Sequence, residues 1–283
     1  EALKQGIKPI IGCEVYVAPK SRFDNFEVEG TRYYHLILLA ENNKGYQNLI
    51  KLVSLANIEG MYYKPRVDKD LLRQYHEGII CLSSCIAGEI PQAIIRDNME
   101  RAEKLVQEYV DIFGKDNFFL EIQNHQIPEE AKANKGLISL AQKYDLKLVA
   151  TNDIHYVDKA DSKAHDVLLC IQMGKTLNDP ARMRFGTEEF YLKSREEMEE
   201  LFPYALEALD NTAKIAERCN VEFDFNTIHL PNYEVPEGYT TSGYLEELCY
   251  KGLYERYESL WNESCETTDT EVCDLLQRPG RTA

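Results

Sequence analysis

Asp153 and His155 stand two residues apart in Val149-Ala-Thr-Asn-Asp-Ile-His-Tyr156, just past an apolar run. Side chains at that spacing in extended backbone point the same way, so a carboxylate and an imidazole converge. At the end of a strand such a pair suits Zn²⁺, Mn²⁺ or Fe²⁺. A turn with a capping Asp and a surface His accounts for it equally well. Glu14 lies inside Gly12-Cys-Glu-Val-Tyr-Val17, where a lone buried carboxylate is costly unless paired or metal-bound. Cys85 follows the apolar run Ile79–Ser83 and, taken alone, reads as a buried structural thiol. His35 opens His35-Leu-Ile-Leu-Leu39, the wrong end for a strictly parallel barrel unless this strand runs oppositely. His125 closes Leu120-Glu-Ile-Gln-Asn-His125 and leans toward the same rim, in a supporting position behind the ligands. His76, His165 and His229 read as structural histidines. Gly174-Lys-Thr176 ends like a phosphate loop, but Leu169 stands where the loop needs glycine, and no Gly-x-Ser-x-Gly elbow is present. Glu196, Glu197, Glu199 and Glu200 read as a solvated helix face.

These residues need a scaffold, and the pattern supplies one. Glu1 to Gln5 reads as a last helical turn stopped by Gly6, and an apolar strand follows from Pro9 to Val17. A helix feeding a buried strand implies that the start of the fold is missing. Ile79–Ser83, Phe118–Ile122 and Leu146–Ala150 read as strands. Between them lie helices at about 98–113, with Ala102, Leu105, Val106, Tyr109 and Phe113 on one face, and about 129–144, with Leu137, Leu140, Ala141 and Tyr144 aligned. Continuous rather than alternating apolar strands, linked by helices, imply a parallel sheet with its chemistry at the C-terminal strand ends. From about Asp161 the pattern is mainly helical. Ser194 and Glu197 form a capping box, and Leu206, Leu209, Ala213 and Ala216 give the next helix its buried stripe. Pro231, Pro236 and Gly238 mark a linker before a helix at about 242–257.

Composition bounds the partners. The net charge is −16, with 44% hydrophobic and 28% charged residues. A chain this acidic should not grip duplex DNA by itself, because that affinity comes from lysine and arginine displacing counterions from phosphates. No apolar run approaches bilayer length, and no secretory leader is evident. Eight cysteines without a CxxC pair read as reduced thiols in a cytoplasm.

The motifs then resemble the PHP family, the polymerase and histidinol phosphatase domains, in the form found in bacterial DNA polymerase III alpha subunits. The resemblance rests on Gly12-Cys-Glu-Val-Tyr-Val-Ala-Pro19, Tyr34-His-Leu-Ile-Leu-Leu-Ala-Glu-Asn42, Tyr62-Tyr-Lys-Pro-Arg66 and Cys85-Ile-Ala-Gly-Glu-Ile-Pro91. Ala150-Thr-Asn-Asp-Ile-His-Tyr156, Ala164-His-Asp-Val-Leu-Leu-Cys-Ile171, Phe190-Tyr-Leu-Lys193 and Ala216-Glu-Arg-Cys-Asn220 continue it, over about residues 1–257. It implies an α/β fold: a distorted seven-stranded β/α barrel over 1–175, lacking its first strands, then a mainly helical extension over 176–230. A linker and helix over 231–257 would lead toward a polymerase palm, and 258–283 would be an atypical tail, disordered or not native.

By position, Glu14, His35, Cys85, Asp153 and His155 match five of the family's metal ligands, and catalysis would run through the metal at Asp153 and His155. The family's other ligands, a His-x-His, a following Asp and a further His, lie upstream of Glu14 and are not supplied by residues 1–13. The implied cofactor is a cluster of up to three divalent ions, Zn²⁺ first, with Mn²⁺ or Fe²⁺ as alternatives. Mg²⁺ would serve a polymerase domain, none of whose active-site residues lies in this chain. The implied activity is 3′–5′ exonuclease proofreading in a replicative polymerase, with the isolated chain inactive. The alternative is a scaffold that stabilises the polymerase and docks a separate exonuclease subunit; a stand-alone phosphoesterase is a third reading. Implied partners are primer–template DNA and other replicase subunits, such as a sliding clamp and a proofreading subunit, with no membrane.

Overall fold

The computed structural model describes residues 1–228 and 230–264, the last of these, 257–264, as backbone. Two units emerge, residues 1–223 and the described residues from 224 onward. The first opens with a 3₁₀ turn, Ala2–Gln5, ended by Gly6 in the left-handed conformation at φ 72°. Then come β1 (Gly12–Val17), β2 (Tyr34–Ala40), α1 (Asn43–Glu59), β3 (Met61–Tyr62), β4 (Lys64–Val67), α2 (Lys69–Gln74) and β5 (Ile79–Leu82). The unit continues with α3 (Glu89–Ile95), α4 (Met99–Phe113), β6 (Phe118–Ile122), α5 (Pro128–Tyr144) and β7 (Leu148–Ala150). It closes with α6 (Ser162–Met173), α7 (Arg195–Leu201) and α8 (Leu206–Arg218). In the second unit, α9 runs from Thr241 to Ser264, past the expected end near 257. The segment 265–283 and His229 lie outside the described residues. No described helix is long and apolar enough to cross a membrane.

All seven strands join one sheet in the order β3-β4-β1-β2-β5-β6-β7. β5, β6 and β7 are parallel, as the strand–helix rhythm predicts, with α3 and α4 and then α5 as the crossovers. Among the described residues no ladder joins β7 to β3; the helix-covered sheet is that of a β/α barrel fragment, followed by a mainly helical extension. β2 breaks the parallel expectation: it runs antiparallel to both β1 and β5. Continuous burial is also confined to part of the sheet. β5 and β6 are buried along their whole length, whereas β1 and β2 alternate.

That alternation separates two faces. Val15, Val17, Leu36, Leu38, Cys81, Phe118, Leu120 and Ala150 pack with the helices in the main core. Ile80, Leu82, Phe119 and Val149 turn the other way, where Ile215 and Cys219 at the end of α8 cover them. α8 buries Ala208, Leu209, Asn211 and Ile215; Leu206 and Ala213 are exposed, so the expected stripe is rotated. The cause is Asn211, whose amide donates to the Leu148 carbonyl at 2.8 Å and so binds α8 to the edge strand. Apolar counting misses a polar residue that is buried because it satisfies a strand.

Arg66 in β4 is fully buried yet has no carboxylate partner among the described residues. Its guanidinium donates to the carbonyls of Gly60, Arg22, Asp24 and Arg32 and lies 4.9 Å from the Tyr62 ring centroid. It thereby fixes the long β1–β2 connection that delivers His35. Arg66→Met should cost about 3 kcal/mol or more, since several buried carbonyls lose their donor. Urea unfolding checks this; a loss within the scatter of surface substitutions would show that the carbonyls find other donors.

Candidate metal centre

The reversed direction of β2 answers the question posed by His35. The register pairs Tyr16 with His35 and Glu14 with Ile37, so the start of β2 lies beside the C-terminal end of β1. Parity puts Glu14 and His35 on the sheet face opposite Val15 and Leu36. Glu14 is therefore not the lone buried carboxylate the sequence suggested: its side chain is 37% exposed, and Oε1 lies 3.2 Å from His35 Nδ1. Cys85 arrives from the turn after β5, its Sγ 3.8 Å from the same nitrogen. That turn is tight. Ser84 has φ 67°, the Gly88 amide donates to the Cys85 carbonyl at 2.8 Å, and the His35 amide donates to Ala87 at 3.1 Å. A side chain at Gly88 would strike the Ser83 carbonyl.

Asp153 and His155 come from the loop after β7, with Asp153 held at φ 41°. His155 Nδ1 donates to the Asp153 carbonyl at 2.7 Å, an arrangement that leaves Nε2 with its lone pair for a ligand. The loop is pinned from behind. The His155 amide donates to the Phe190 carbonyl at 2.9 Å, and the Asn152 amide side chain donates to the Tyr191 carbonyl. Lys193, almost fully buried, reaches Asn152 Oδ1 at 3.2 Å and Glu189 at 3.3 Å. The Phe190-Tyr-Leu-Lys193 motif thus serves the loop that carries Asp153 and His155. His125 is fully buried, with Nδ1 2.6 Å from Glu130 and Nε2 2.8 Å from the Asn152 carbonyl. Both ring nitrogens face acceptors, so neither is left for an ion; the ring supports the residue just before Asp153.

Electrostatics link the two groups. Burial pulls the His35 imidazole down, but hydrogen bonds to Cys85 and Glu14 outweigh it and push it up to about 10. The His35 hydrogen bond, aided by the charges of His35 and His155, holds the Glu14 carboxyl low against its burial. A proton on His35 therefore sits between a carboxylate and a thiol, where a cation would be welcome. Carboxylate, imidazole and thiol together form a donor set suited to Zn²⁺. Tetrahedral ligands at normal Zn²⁺ bond lengths stand roughly 3.3–3.8 Å apart, close to the separations seen here. Yet among the described residues no three His, Cys, Asp or Glu side chains are gathered into one ion-holding group. The donor chemistry fits; the gathering is incomplete.

Two participants escaped the sequence reading. His165, set aside as structural, packs its ring 5.5 Å from that of His155. Glu121, the one charge in the apolar Phe118–Ile122 strand, is buried between the two groups. Its Oε1 accepts from Thr151 at 2.5 Å and Gln123 at 3.1 Å, while Oε2, Gln123 Oε1 and Ser84 Oγ have no partner. Burial, with help from the Asp153 charge, lifts the Glu121 carboxyl to about 6, although hydrogen bonds from Thr151, Gln123 and the Ser84 backbone oppose the rise. The folded state thus holds this proton more tightly than the unfolded chain. Its contribution to stability is complete below pH 4.5 and is lost as pH rises through about 6. In metal-free protein, Glu121→Gln should abolish about 2 kcal/mol of the stability lost between those limits. Urea unfolding at pH 4.5 and pH 7 measures it, and an equal pH dependence in both proteins would refute it.

Residues 1–125 match the PHP domain family, a span that ends before Asp153. The chain is 49% identical over 276 residues to DNA polymerase III subunit alpha of Treponema pallidum, covering 97% of this chain and 24% of that protein. The Thermus aquaticus protein of the same name is 48% identical over 265 residues, covering 91% and 22%. That of Deinococcus radiodurans is 41% identical over 299 residues, covering 99% and 22%. The chain spans about a quarter of the length of the curated relatives it matches. A match over 97% of the chain reaches past Tyr257, farther than motif reading carried the resemblance. Residues 1–125 carry a PHP domain, and nearly the whole chain is similar to the corresponding quarter of DNA polymerase III alpha subunits.

Proposed function

We propose that the chain is part of a DNA polymerase III alpha subunit acting in DNA replication, and that its PHP domain is a metal-dependent phosphoesterase that removes mispaired 3′ nucleotides. The observation that carries this reading is the contact of Glu14 and Cys85 with one nitrogen of His35, on a face electrostatically coupled to His155. Glu14, His35, Cys85, Asp153 and His155 would hold divalent metal, Zn²⁺ first and Mn²⁺ or Fe²⁺ as alternatives. When bound, the metal supplies charge that acidifies a water and neutralises the attacked phosphodiester. The protein's own part is placement. His155 presents Nε2, Asp153 presents a carboxylate from a strained loop, and His125 and Lys193 hold that loop through Asn152. A metal-held phosphate also fits a chain whose net charge of −16 disfavours DNA. Primer–template DNA, a sliding clamp and a proofreading subunit are the proposed partners, Mg²⁺ the proposed cofactor of the polymerase reaction, and the cytoplasm the proposed location.

The second reading, a non-catalytic scaffold that docks a separate exonuclease, is favoured by the failure of three donors to gather among the described residues. The two separate cleanly. In the polymerase containing this sequence, Asp153→Asn should lower 3′–5′ exonuclease activity at least 100-fold and leave nucleotide incorporation unchanged, as loss of a metal-dependent step requires. Undiminished proofreading would sink the exonuclease reading. A folded domain free of metal by elemental analysis would favour the scaffold.

A further inference from the structure

A pocket of about 300 Å³ opens between α6 and the segment 182–188, next to His155 and outside the five proposed ligands. Its lining is cationic in a strongly acidic chain: Lys163, Arg182 and Arg184, with the His165 ring among them. Arg182 is committed, since both its terminal nitrogens bind Asp166 at 2.5 and 2.6 Å. Lys163 and Arg184 are exposed and have no hydrogen bond or ion pair among the described residues. Glu188 is the one lining carboxylate outside the Arg182 pair. A further observation points to a ligand. Tyr156, in the pocket wall and only 9% exposed, buries its hydroxyl without a hydrogen-bond partner. A buried O–H without an acceptor costs free energy that an incoming acceptor would recover. The pocket also shares its rings with the candidate centre, Phe185 standing 4.8 Å from His155 and 5.0 Å from His165.

We propose that this pocket is a phosphate subsite, in which Lys163 and Arg184 supply the charge, and His165 and Tyr156 supply hydrogen bonds to the phosphate oxygens. The phosphate comes from a polynucleotide backbone or from a phosphomonoester, the chemistry being common to both. Phe185 offers an apolar ring on which a base or sugar of the same ligand can rest. The inference deepens the phosphoesterase reading by naming where its substrate is held, and rests on that reading only for what happens next; the binding itself needs no metal.

The 283-residue chain is titrated in EDTA at low salt with two probes, inorganic phosphate and a five-nucleotide oligothymidylate, by calorimetry. Loss of both cations in Lys163→Ala/Arg184→Ala should weaken binding at least tenfold and flatten its salt dependence. Lys44→Ala on α1 serves as a remote control and should bind as the parent does. Tyr156→Phe should bind several-fold more weakly while its thermal stability is unchanged or raised, because the buried donor is removed with its cost. Tighter binding of the oligonucleotide identifies a strand as the source of the phosphate; tighter binding of inorganic phosphate identifies a monoester. No binding of either probe by the parent chain, or equal binding by the double variant, overturns the subsite. Because metal is absent throughout, a failed exonuclease test leaves this result standing, and the reverse holds too.

Discussion

The structure depends on one backbone decision, the antiparallel entry of β2 between β1 and β5. In a parallel sheet, a strand's first residue lies at the rim opposite the ends of its neighbours. Reversal of β2 cancels that separation and sets His35 beside the end of β1, within reach of Glu14 and of the turn that carries Cys85. Period-2 alternation then fixes the face, since a slip of one residue would bury both side chains in the helix-covered core. Arg66 secures the decision from a distance, binding the carbonyls of the long connection that β2 must follow.

Buried polar groups do the remaining positioning. Glu121 accepts from Thr151 and Gln123 while its own amide donates to Ser83 Oγ, so it ties the strand end before Cys85 to the strand end that leads to Asp153. Behind it, His125, held in turn by Glu130, binds the carbonyl of Asn152, and Lys193 holds its side chain. Such networks are costly unless satisfied, and three of the oxygens around Glu121 remain unsatisfied. Charge follows the same logic at larger scale. In a chain of net charge −16, buried carboxylates need donors and the rim needs cations. The His35 proton lies beside Glu14, and Lys163 and Arg184, without a hydrogen bond or ion pair among the described residues, line the pocket that holds His165.

The sequence by itself determined a good deal. Phe118–Ile122 is a strand with the expected ends, α4 spans Met99–Phe113 close to the expected bounds, the Ser194–Glu197 capping box forms, and Gly6 stops the first turn. These depend on neighbours in the chain, on apolar period and on backbone sterics, which a sequence displays directly. The Asp153–His155 pair was legible only as a spacing: Asp153 stands at φ 41°, not in the extended backbone on which the expected convergence rested. Tertiary structure decided the rest. Whether His35 stood at the right rim depended on the direction of β2, which no local pattern encodes. The buried face of α8 depended on Asn211 meeting a carbonyl of β7. Glu121, His165 and Tyr156 gained their places from residues distant in sequence, the first signalled only by a lone charge in an apolar strand. Local interactions write themselves into spacing and composition; partnerships closed across the sheet exist only once the chain has folded, because register and direction bring their members together.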